Sequence, residues 1–325
     1  VTEYPLFRYP PHDLCLANEL AEITVKHELD IIHAHYAVPH AVSAMLAGQM
    51  TERPVKVVTT LHGTDITLVG SDRAFYRVCR YAMMNCHGLT AVSQWLAERT
   101  VREFELPITP TVIPNFVDCD RFTAKKRASY PADGKLQFLH ASNFRPVKRV
   151  CDVIRVFERV HRELPDSRLL MAGDGPQRGM AMELAAQLEI TDAVDFPGKT
   201  LDIEDAYRQS HLYLLLSDYE SFGLSALEAM ACGTPVVVSR AGGLVEVVED
   251  GVTGRLCEVG EIDAIAEATL EVVRDRGKWQ QMSTAAMTDA RRRFCKELIV
   301  PMYEDYYEQV ATRETTLARS QKAEG

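Results

Sequence analysis

An α/β protein with two doubly wound parallel sheets is what this sequence predicts, on three observations. Short apolar, β-branched runs alternate with longer amphipathic stretches from end to end, the pattern of parallel strands joined by crossover helices. At 325 residues the chain exceeds what one core usually organises. The stretch 114–134 lacks a clear period and collects Pro, Gly, Asp and Lys, as an inter-domain linker does. The expected domains are 1–117 and 118–295, followed by a segment 296–325 whose helix returns to the first domain and ends in a polar tail.

In chain order, the first domain reads as helices at 12–28, 38–50, 73–86 and 94–104. Strands fall between them at 30–35, 56–61, 88–92 and 109–113. The second domain has strands at 136–141, 168–172, 193–196, 211–216, 235–239 and 253–257, separated by helical spacings such as 149–163 and 261–274. At 296–311, Leu298, Ile299, Met302, Tyr303, Tyr306 and Val310 recur every three or four residues, so this amphipathic helix needs a partner surface.

Composition removes several functions. Asp and Glu total 46 against 36 Lys and Arg, a net charge of −10, which argues against sequence-independent nucleic-acid binding and against steering to anionic lipid. No apolar run approaches the ~20 residues of a membrane span, and no signal-peptide pattern opens the chain. Eight scattered cysteines without a CxxC pair predict reduced thiols rather than a disulfide framework or a zinc site. Val1 and the Pro- and Tyr-rich opening (Tyr4, Pro5, Tyr9, Pro10, Pro11) read as a loop interior to a domain, with an N-terminal segment expected before it.

The candidate chemistry sits at strand ends. Glu220-Ser221-Phe222-Gly223-Leu224 through Glu228 follows the strand at 211–216, where doubly wound sheets bind ligands on helix N-termini. A helix running from Ser221 would separate Glu220 from Glu228 by roughly 12 Å. Paired glycosidase carboxylates work ~5–9.5 Å apart on one bond, so these two suit opposite ends of one long ligand; two solvated helix glutamates are the plain alternative. Ser142-Asn143-Phe144-Arg145-Pro146-Val147-Lys148-Arg149 places cations at a helix entrance in an acidic chain, which suggests a diphosphate clamp, or else a solvated basic turn. Gly173-Asp174-Gly175-Pro176 is a tight turn that brings backbone near a nucleotide base or serves packing. Nothing matches GxGxxG or a Walker loop.

In the first domain His62 closes one strand, and His33, His35 and Tyr36 close another. The two histidines of the second strand have no evident third ligand, so no metal is expected there. Asp118-Cys119-Asp120 imitates a metal-binding DxD, yet its place in the linker predicts a hinge or cap.

EX7E at Glu220 and Glu228, SNFRPVKR at 142–149, GDGP at 173–176 and EAMACGTPVV at 228–237 together resemble the retaining glycosyltransferases of family 4, which have GT-B architecture. YPPHDL at 9–14, DIIHAHYAVPHA at 30–41 and TTLHGTDIT at 59–67 narrow the resemblance to the branch that transfers N-acetylglucosamine to L-malate in bacillithiol synthesis. It implies two Rossmann-like domains facing a cleft, with the first strand–helix–strand unit of the N-terminal domain absent here. It implies that donor UDP-GlcNAc is held by Asn143, Lys148, Glu220, Phe222, Gly223, Leu224 and Glu228. Acceptor L-malate falls to Tyr36, His62, Thr64 and Arg80, the last being otherwise a solvated helix arginine. His62, Glu220 and Lys148 would serve catalysis. The implied enzyme is bacterial, cytoplasmic and free of metal or other cofactor, with no nucleic-acid or membrane partner and with homo-oligomerisation open. Rival readings are a family 4 transferase with another acceptor, a UDP-sugar epimerase or hydrolase on the same scaffold, and a non-catalytic nucleotide-sugar-binding fragment.

Overall fold

The computed structural model describes residues 11–64, 66, 72–125, 127–131, 135–199 and 202–312. The opening before Pro11, Asp65 and Thr67 of the TTLHGTDIT motif with 68–71 after it, Asp133-Gly134 of the linker and the polar tail from 313 lie outside the described residues. The chain divides into two units, one of Val1–Pro114 with Val300–Gly325 and the other of Asn115–Ile299.

The first unit runs α1 (His12–Lys26), β1 (Ile31–His35), α2 (Val42–Gln49), β2 (Lys56–Leu61), α3 (Arg73–Asn85), β3 (Gly88–Ala91), α4 (Gln94–Phe104) and β4 (Thr111–Val112). Its strands form one parallel sheet in the order β1-β2-β3-β4. The helix starts are written in the sequence: Asp72 accepts from the Ala74 N–H at 2.9 Å, and the Ser93 hydroxyl accepts from the Leu96 N–H at 3.1 Å. Small residues set the spacing of helix on sheet, since Ala41, Ala44, Ala47 and Ala82 are buried against Ile32, Ala34 and Val57. Because Ile31 pairs with Lys56 and His35 with Thr60, the two strands finish level, and His35, Tyr36 and His62 emerge side by side.

The second unit continues with β5 (Gln137–Ser142), α5 (Val150–Glu163), β6 (Arg168–Gly173), α6 (Arg178–Gln187), β7 (Val194–Gly198), α7 (Ile203–Gln209), β8 (Leu212–Leu215), α8 (Leu224–Ala231), β9 (Val236–Ser239), α9 (Leu244–Val247), β10 (Gly254–Cys257), α10 (Ile262–Arg274) and α11 (Arg276–Phe294). Its parallel sheet has the order β10-β9-β8-β5-β6-β7. The chain enters at β5, builds outward to β7, then returns to β8 on the other side of β5. That reversal opens a crevice beyond the carboxyl ends of β5 and β8, where such sheets bind ligands. Strands β8 and β9 are buried along their whole length, as a sheet covered on both faces requires.

The last helix, α12 (Lys296–Thr312), carries its apolar stripe into the first unit from Val300 on. Tyr306 and Val310 are buried over Gly88, where a β-carbon would collide with both. No helix among the described residues is long and apolar enough to cross a membrane.

Two expectations are corrected. The segment after Glu220 is not helical from Ser221: α8 starts at Leu224, after Gly223 at φ +96°. Phe222 turns inward, 2% exposed and edge-on to Phe294 at 5.6 Å, and that burial uses the residues a longer helix would need. The cysteines are not all thiols, because Cys119 and Cys295 form a disulfide with Cα atoms 5.8 Å apart. Val117 and Cys295 pair as an isolated parallel bridge, which brings together residues 176 apart in sequence, a proximity no local spacing encodes.

Candidate active site

At the crevice of the second unit, the loops after β5 and β8 are sewn together by charge. Lys148 Nζ donates to Glu220 Oε1 at 2.6 Å, and the Ser217 hydroxyl donates to the same oxygen at 2.7 Å. Both partners of the ion pair are mostly buried, with 18% and 12% of their side chains exposed. Arg149 bonds Asp218 at 2.8 Å, and the Asp218 N–H donates to Val147 O at 2.9 Å. Behind this layer His140 is fully buried, its ring nitrogens 2.9 Å from Leu214 O and 2.8 Å from the Ser142 hydroxyl. Burial lowers its pKa to about 4, so it braces the loop as a neutral ring. Asn143 is exposed at the loop's start.

Backbone contacts close to van der Waals limits hold these loops. A β-carbon at Gly242 would collide with Glu220 O, and one at Gly243 with Ser221 O; the Gly243 N–H donates to Glu220 O at 2.7 Å. Gly173 and Gly175 do the same for the carbonyls of Ser142 and Asn143, so in this structure the GDGP turn supports the Asn143 loop by packing. One helix turn into α8 and beyond, Glu228 Oε2 accepts from the Tyr207 hydroxyl at 3.0 Å. Burial raises the pKa of Glu228, and the Tyr207 hydrogen bond opposes that rise.

The first unit carries a different cluster. His35 Nδ1 and His62 Nε2 are 2.8 Å apart, so one of the two bears the proton. The Tyr36 ring lies 5.0 Å from His62, and its backbone has φ +78°, an uncommon conformation for a side-chain-bearing residue. His33 bridges Tyr307 of α12 and Thr60 of β2, at 2.7 Å each. Burial first, and the neighbouring rings second, lower the pKa of His33 and of His62 to about 4. His33 and His62 are thus uncharged at neutral pH, and burial lowers the pKa of His35 in the same direction. Thr64 follows His62 and is half-buried.

Comparison with known proteins fixes the family. The glycosyl transferases group 1 profile matches residues 122–289, and the glycosyltransferase family 4 profile matches 1–121. This chain is a family 4 glycosyltransferase. It is 40% identical over 94% of its length to N-acetyl-alpha-D-glucosaminyl L-malate synthase of Bacillus anthracis, of which it covers 82%. It is 32% identical to the phosphatidyl-myo-inositol mannosyltransferase of Mycobacterium tuberculosis, over 87% of this chain and 75% of that one. Among solved structures, Anabaena HepE in complex with UDP and glucose superposes with a TM-score of 0.77 at 24% identity, over 95% of this chain and 84% of that one. Two parallel-sheet α/β units are thus the GT-B architecture.

Within this glycosyltransferase, the structure brings Lys148 to Glu220 and His62 to Tyr36. It does not bring Arg80 to the histidines: its Nε donates to Phe104 O at 2.9 Å, capping the carbonyl end of α4. Asp118 has the expected cap geometry, accepting from the N–H of Asp120 at 3.0 Å and pairing with Lys296 at 2.9 Å. Sequence reasoning missed Ser217, Tyr207, His35 as the partner of His62, and the Gly242-Gly243 buttress. The last had a signal, two glycines just after an apolar strand.

Proposed function

We propose that this glycosyltransferase moves N-acetylglucosamine from UDP-GlcNAc to the hydroxyl of L-malate, with retention at the anomeric carbon and without a metal, in the bacterial cytoplasm. The 40% identity over 94% of the chain with the N-acetyl-alpha-D-glucosaminyl L-malate synthase of Bacillus anthracis carries this reading. The second unit is the donor side. Lys148 and the start of α8 neutralise the diphosphate, Glu220 and the backbone of Phe222 to Leu224 take the sugar hydroxyls, and Glu228 takes the ribose. The first unit is the acceptor side, with Tyr36, Thr64 and the neutral His62 offering hydrogen bonds. The malate hydroxyl oxygen attacks the anomeric carbon as the bond to the β-phosphate oxygen breaks on the same face. UDP leaves with the electron pair, and its phosphate takes the hydroxyl proton. Lys148 stabilises the charge growing on that phosphate, the kind of contribution that usually dominates such catalysis.

The test is transfer from UDP-GlcNAc to L-malate, D-malate, lactate and glycerol, read by product mass, with the anomeric coupling of the product read by NMR. L-malate should be strongly preferred and the product α-linked. Equal transfer to lactate or glycerol would refute the acceptor and leave the family unchanged.

A further inference from the structure

Behind Glu228 stands a residue that no motif contains. Tyr207 of α7 is 1% exposed, edge-on to Tyr213 at 5.6 Å, and its carbonyl accepts from the Thr234 hydroxyl at 2.7 Å. A buried phenol needs a hydrogen-bond partner, and this one donates to Glu228 Oε2. One carboxylate oxygen is thereby fixed, and the other, Oε1, accepts no hydrogen bond from any described residue. The nearby cations are engaged elsewhere: Arg121 pairs with Glu204, and Arg208 with Asp205. Arg121 draws the Glu228 pKa down and Glu204 draws it up, while Tyr213 and Cys232 face Tyr207, Glu220 faces Tyr213 and Arg208 faces Cys232. Among the described residues, Tyr207 is the only hydrogen-bond donor to Glu228.

We propose that Tyr207 is a positioning residue for the nucleotide. By holding Oε2 of Glu228 it aims Oε1 at the vicinal ribose hydroxyls of a nucleoside-diphosphate sugar, without touching the ligand itself. The inference rests on the assignment of Glu228 to the ribose, and it explains how a half-buried carboxylate keeps its direction, while the Tyr207 bond opposes the rise in pKa that burial causes. Burial favours the protonated acid, which could offer only one well-oriented acceptor; the tyrosine hydroxyl favours the anion.

The experiment measures calorimetric Kd values for UDP and 2′,3′-dideoxy-UDP on the full chain, in wild type, Tyr207→Phe, Glu228→Asp and Glu228→Gln, from pH 6 to 9. The ratio of the two constants cancels the folded fraction and the titration of phosphate and base. Wild type should prefer UDP. Tyr207→Phe should lose about tenfold of that preference at pH 6.5, and the loss should shrink as pH rises, because the missing hydrogen bond no longer opposes the upward pKa shift of Glu228. Glu228→Asp, which draws the carboxylate away from the hydroxyl, should lose a similar amount and decides the matter if Tyr207→Phe does not fold. Equal weakening of both ligands, or wild-type preference in Tyr207→Phe at every pH, would overturn the positioning role while Glu228→Gln still reports on the ribose contact. A wild type without preference, unchanged in Glu228→Gln, would overturn the ribose assignment and the inference with it.

Discussion

The two strand-end sites treat charge in opposite ways. In the second unit, Lys148 and Glu220 meet at 2.6 Å and Arg149 holds Asp218, so full charges are kept and paired. In the first, His33 and His62 are held near pKa 4 by burial, and the cluster works as neutral rings bonded to each other and to hydroxyls. Paired ions suit a ligand that carries phosphate, because Lys148 can leave Glu220 for a stronger anion while Ser217 still satisfies the carboxylate. Neutral donors and acceptors suit a hydroxyl that must stay nucleophilic.

The sharpest way to break this comparison is Lys148→Ala. Removing the cation leaves Glu220 with the Ser217 hydroxyl, and loss of a charge-assisted contact should lower transfer by about 100-fold or more with weaker UDP binding. Initial rates and UDP calorimetry check both; unchanged values for each would remove charge neutralisation from the second unit. Next in size is His62→Ala, expected to slow transfer by roughly 10- to 100-fold, the value of a lost oriented hydrogen bond. Its UDP affinity should stay within about twofold, because the proposed donor residues lie in the other unit. A matching loss of UDP affinity would erase the division of labour.

A smaller effect concerns acid. For His33 and His62 the folded pKa of about 4 lies below the ordinary 6.5, so the unfolded chain binds more protons between these values. Stability should therefore be level above about pH 7 and fall as pH drops from 6.5 toward 4. His140 in the second unit has the same sign, so the check is a His33→Asn, His62→Asn variant, whose melting temperature should decline less steeply over that window. An unchanged slope would mean the ring cluster is not what acid attacks. The smallest expected effect is that of EDTA, which should leave the transfer rate within experimental error if, as proposed, side-chain cations and N–H groups take the neutralising role. Complete loss, restored by Mg²⁺ or Mn²⁺, would return Asp118 and Asp120 to consideration as metal ligands.

Particular residues show how far the sequence could be read. Every expected strand is present within two residues at each end, since a run such as Lys56–Leu61 declares itself by its own composition. Lys148 and Glu220 were legible as candidate site residues because each follows an apolar strand and precedes a helix. Gly223 was legible as part of a helix start, but the three-residue delay of α8 was not, because it depends on Phe222 finding Phe294. The capping role of Arg80 was illegible for a related reason. An arginine on a helix has a reach of several ångströms, and only the packing of α3 beside α4 decided that its nearest unsatisfied acceptor is Phe104 O.

The sequence by itself determined the alternation of strands and helices, the strand-end position of each candidate group and, through motif resemblance, the family. These are short-range properties: a period of two or 3.6 residues and a turn of a few residues are written locally. Tertiary structure alone decided the strand order that places β8 beside β5, the disulfide across 176 residues, the contact of His35 with His62 and that of Tyr207 with Glu228. Each joins segments distant along the chain, and such pairs are selected by burial and by the need to satisfy buried polar groups, which the whole fold must settle at once.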